Sequence, residues 1–63
     1  MHSFERLQQR AIELEKKIKL EFENKALARQ LIAGAKEAVD YSYQRERNES
    51  WYVKYIGELE SRL

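Results

Sequence analysis

At 63 residues and 7.6 kDa the chain has room for one small helical domain, residues 1–63, and none for a second core. Its 12 basic and 11 acidic side chains leave a net charge of +1, and with no cysteine they exclude a disulfide framework, a thiolate metal site and the large positive excess typical of nucleic-acid domains. Apolar runs such as Leu31 to Ala33 are too short for a membrane span or a signal-peptide core, so no membrane partner is expected, and the cysteine-free composition fits a cytoplasmic location.

The first apolar stripe is Phe4, Leu7, Ala11, Leu14 and Ile18, in steps of 3, 4, 3 and 4, which holds one narrow seam on a helix near 3–22. Glu13 to Lys17, Glu15 to Lys19 and Glu21 to Lys25 stand at the favourable spacing of four. The second stripe is Ala28, Leu31, Ile32, Ala35, Ala38, Val39 and Ser42, a wider face suited to a core and carried by a helix near 25–46. Asn24 is the N-cap that would break the chain between them. Gly34 lies off the stripe and reads as an in-helix glycine, with a long helical hairpin turning there as the competing topology. Asn48-Glu49-Ser50 is the strongest turn signal, followed by a third helix near 50–62 with Tyr52, Ile56, Leu59 and Leu63 on one face and Glu58 four residues before Arg62. The fold class is therefore all-α, with three amphipathic segments.

Chemistry-bearing constellations are scarce. The only histidine, His2, falls outside the helical segments, so a catalytic triad, a zinc site or a di-iron Glu-x-x-His site has no histidine inside the fold. Glu13 and Glu15 diverge by about 200° on a helix and do not form an acid–base pair. The isolated Gly34 and Gly57 make no phosphate loop. Neither catalysis nor a cofactor is expected.

Aromatic residues crowd one region: Tyr41, Tyr43, Trp51, Tyr52 and Tyr55. Trp51 and Tyr52 have space in a core against the small Ala35 and Ala38. Tyr41, Tyr43 and Tyr55, with Trp51 at their edge and Arg45 and Arg47 beside them, are the candidate anchors for a protein interface, where tyrosine, tryptophan and arginine are enriched. A basic edge of the middle helix, Lys25, Arg29, Lys36 and Arg47 within a sector of about 40°, is the candidate path for a phosphate backbone.

Burial at ~25 cal/mol/Å² returns roughly 100 kcal/mol, against about 95 kcal/mol for ordering the chain, so a lone monomer comes out marginal. Oligomerisation is the remaining support, and Phe4, Leu7, Ala11, Leu14 and Ile18 are the self-association candidates, giving a homodimer or a small bundle. In size and plan the chain resembles the small regulatory helical hairpins of plasmids and phages, a likeness of architecture that carries no functional residues. The expected function is that of a non-enzymatic regulator or adaptor presenting helix faces to a larger protein partner. The alternative is a nucleic-acid-binding regulator using the basic edge.

Overall fold

Two asparagines set the path of the chain. The structure, a computed structural model, describes residues 3–43 and 48–63, with Ser3 and Tyr43 as backbone. It contains α1 (Ser3–Glu21), α2 (Lys25–Tyr43) and α3 (Glu49–Ser61), and no strand among the described residues. His2, Arg45, Arg47 and the side chain of Tyr43 lie outside those residues.

After α1 the Phe22 N–H still donates to the Ile18 carbonyl at 3.1 Å, and the chain then turns into Asn24. The Asn24 Oδ1 accepts from the Ala26 N–H at 2.9 Å and the Leu27 N–H at 3.2 Å, satisfying two donors that the first turn of α2 leaves without intrahelical partners. The break is therefore at Asn24, and Gly34 sits inside α2 rather than in a hairpin turn. Asn48 caps α3 in the same way: it is extended at φ −108° and ψ −175°, and its Oδ1 accepts from the Trp51 N–H at 3.0 Å. Glu49 then places an acid in the first turn, where the helix dipole favours it.

α1 and α3 run in the same direction, with Phe4 beside Tyr52 and Arg10 bonded to Glu60. α2 runs against them, with Asp40 at Trp51. Each helix contributes a seam to one core: Ala11, Leu14 and Ile18 from α1; Ala28, Ile32, Ala35 and Val39 from α2; Trp51, Tyr55 and Leu59 from α3. α3 packs closely against both other helices, which touch one another less, and the molecule measures 34 × 27 × 15 Å.

Three details depart from the expected arrangement. The seam taken as a self-association surface is filled from within the chain: Ala11, Leu14 and Ile18 are buried against α2 and α3, and Phe4 and Leu7 are half-buried. Self-association through it would require this core to open. In α2, Ala38 and Ser42 are exposed, because the buried stripe is the narrower 4-3-4 run Ala28, Ile32, Ala35, Val39. Of the pairs at a spacing of four, Glu58 to Arg62 closes at 2.6 Å. Glu13 instead meets Arg10 at 3.8 Å, Glu15 turns to α2 and α3, and Glu21 and Lys25 fall in different helices.

Candidate functional site

The aromatic crowding is resolved mainly inward. Trp51 and Tyr55 are each 1% exposed, their rings 4.9 Å apart, and Tyr52 meets Trp51 and Phe4 edge-on at 4.9 and 5.3 Å. Trp51 and Tyr55, read from the sequence as interface candidates, are buried in the core, where α3 turns its bulkiest face to the small residues of α1 and α2. Tyr41 is 91% exposed, on the side of α2 away from the core.

The polar atoms of Trp51 and Tyr55 are committed to neighbouring helices. The Trp51 indole N–H donates to Asp40 Oδ1 at 2.6 Å, tying α3 to α2. The Tyr55 hydroxyl donates to Glu15 Oε2, and Lys36 Nζ lies 3.9 Å from the same oxygen and 5.8 Å from the centre of the Tyr55 ring. Glu15 of α1, Lys36 of α2 and Tyr55 of α3 thus join at one point. They line a shallow cleft of about 260 Å³ with Gln8, Ile12 and Tyr52. A charged pair with a hydroxyl at its centre holds helices together in this position; each group already has a partner, which suits a strut better than a reaction centre.

The open end of the α1–α2 side is different. Lys16, Lys19 and Leu20 of α1 face Lys25 and Arg29 of α2 across a groove of about 450 Å³. Leu20 is 86% exposed, and no ion pair engages any of the four cations among the described residues. Glu21 and Glu23 are exposed nearby, but neither lines the groove. Its walls are largely carbon, made of Leu20 and the stems of the basic side chains. Positive charge is concentrated here by the fold: apart from these four, eight basic side chains stand against eleven acidic ones.

The structure therefore divides the basic edge read from the sequence. Lys25 and Arg29 enter the groove, while Lys36 is drawn to Glu15 about two turns away. Lys16, Lys19 and Leu20 were not among the sequence candidates. Their signal was a second stripe on α1, Ile12, Lys16, Lys19, Leu20, in steps of 4, 3 and 1, obscured by the stronger core seam beside it. Among the described residues no helix is long and apolar enough to cross a membrane. Comparison with protein-family models, with curated protein sequences and with solved structures gives no match.

Proposed function

We propose that this chain is a small non-enzymatic adaptor or regulatory protein that works by helix-mediated contact with a larger protein. The observation that carries the reading is the groove at the α1–α2 corner, where an 86% exposed leucine is ringed by four cations without ion pairs among the described residues. Exposed apolar surface rimmed by polar side chains marks interaction sites, and the cations around it add electrostatic complementarity for an acidic partner. The aromatic and ionisable groups of the neighbouring cleft are, by contrast, bonded to one another across the three helices.

The same four cations favour a second reading, a nucleic-acid-binding regulator, since lysine and arginine stripes also follow phosphates. The two differ in what Leu20 does: a phosphate backbone gains little from a leucine at the centre of its site, whereas a protein segment can bury it.

Capture from a lysate of the native host, with and without nuclease, comparing the chain with a Lys19→Glu, Arg29→Glu double variant, tests the reading. The expected result is protein capture that survives nuclease and is lost in the variant. Capture abolished by nuclease would transfer the function to nucleic acid, and capture indifferent to the two substitutions would remove the groove from it.

A further inference from the structure

The proposed reading leaves open what enters the groove. We infer that its occupant is an acidic amphipathic helix of a partner protein, laid along α1 between Ile12 and Leu20 in the place a fourth helix of the bundle would take. The inference rests on the adaptor reading and specifies the partner's chemistry.

α1 carries two stripes. One faces the core of its own chain. The other, Ile12, Lys16, Lys19 and Leu20, covers a sector of about 100° turned away from that core; Ile12, 51% exposed, borders the cleft with Lys36 and Tyr55, while the other three border the groove with α2. Apolar ends eight residues apart span about 12 Å, a little over two turns, with cations between them. Anchors at such spacing match the i, i+3/i+4, i+7/i+8 residues of an apposed helix. α1 and α2 touch each other less than either touches α3, which leaves the flank between them open to a further element.

Charge selects the kind of helix. Among the described residues Lys16, Lys19, Lys25 and Arg29 meet no acidic partner across the groove; Glu21 and Glu23 are exposed nearby without lining it, and Glu15 is held by Lys36 and Tyr55. The groove also lies at the first turn of α2, which contains no acidic residue and where the helix dipole adds positive potential. A second copy of this chain docking through the same groove would bring the same cations to the same place and repel. A helix bearing leucines on one face and glutamates at its margins satisfies both the exposed carbon and the four cations.

Fluorescence anisotropy with synthetic peptides tests this on the intact protein. The probes are an amphipathic helical peptide with a leucine face and glutamate margins, a matched peptide with serine for leucine, a matched peptide with lysine for glutamate, and a DNA duplex. The acidic leucine peptide is expected to bind ~10-fold or more tightly than any other probe, and Leu20→Ser and Arg29→Glu are each expected to weaken it by a similar factor. Both substitutions fall on exposed side chains, so unchanged helicity by circular dichroism is expected and separates lost binding from lost fold. Equal binding of the serine peptide, or no binding of any peptide, would overturn the inference while nuclease-resistant, groove-dependent capture would leave the adaptor reading standing. Preference for the duplex would overturn both.

Discussion

If the cations at the α1–α2 corner are held for a partner rather than for the fold, replacing one should strengthen the free protein while weakening its binding. Lys25→Glu isolates this effect. Lys25 is the first residue of α2, where a cation opposes the helix dipole and a carboxylate is favoured, each by ~0.3–1 kcal/mol at low ionic strength. The new carboxylate would stand four residues before Arg29, an arrangement contributing ~0.2–0.5 kcal/mol, and would replace repulsion from Lys16 and Lys19 with attraction. Exposed Glu21 and Glu23 subtract a few tenths, leaving a gain of about 1 kcal/mol, or ~4–8 °C in melting temperature for a domain of this size. In ~1 M salt, where the screening length is about 3 Å, most of the gain should vanish. Urea denaturation at low and high salt reads the stability, and anisotropy with the acidic leucine peptide reads a loss of ~10-fold in affinity. A loss of stability at low salt would show that Lys25 supports the fold, and a gain that survives high salt would show that the cause is not electrostatic; either result refutes the reasoning.

Ile18 is completely buried, so Ile18→Ala should cost ~2–5 kcal/mol, and because its partners lie in the same chain, thermal denaturation should give the same loss at protein concentrations about a hundredfold apart. Gly57→Ala should raise stability by up to ~1 kcal/mol in chemical denaturation, since an added Cβ meets nothing within 4 Å; Gly34→Ala should follow, its nearest neighbour being Arg62 Nη2 at 3.9 Å. Tyr55→Phe should cost ~1–3 kcal/mol by removing the donor to Glu15, and a double-mutant cycle with Glu15→Gln should return a coupling above ~0.5 kcal/mol; independent effects would sever the strut.

The three helices were legible because their signals are local. Asn24 and Asn48 each stand where a capping side chain is needed, and the structure uses both for that purpose. Gly34 was readable as helical because the apolar stripe of α2 continues past it. What the sequence could not reveal was the identity of the neighbour. A 3-4 seam reports that a helix packs on another helix, and Ala11, Leu14 and Ile18 have the same spacing whether that helix belongs to a second copy or, as here, to α2 and α3. The same ambiguity hid the basic groove. Lys16 and Lys19 are nine and six residues from Lys25 along the chain and separated from it by the turn at Asn24, so no window on one helix could group them. Conversely Lys36 shares a wheel sector with Lys25 and Arg29, and only the position of Glu15 on α1 removes it from their company.

The size of the open flank limits the contact it can make. On the flank of α1, Leu20 is 86% and Ile12 51% exposed, two large apolar side chains about 12 Å apart along the helix. A helix covering the two turns from Ile12 to Leu20 would bury less than ~1,200 Å² across both partners, the range of weak redox and transient signalling encounters. Few anchors fit in such an area, so Leu20 and Ile12 would govern how long a partner stays, while the four cations would govern how fast it arrives and how strongly salt opposes it. That division favours repeated capture and release.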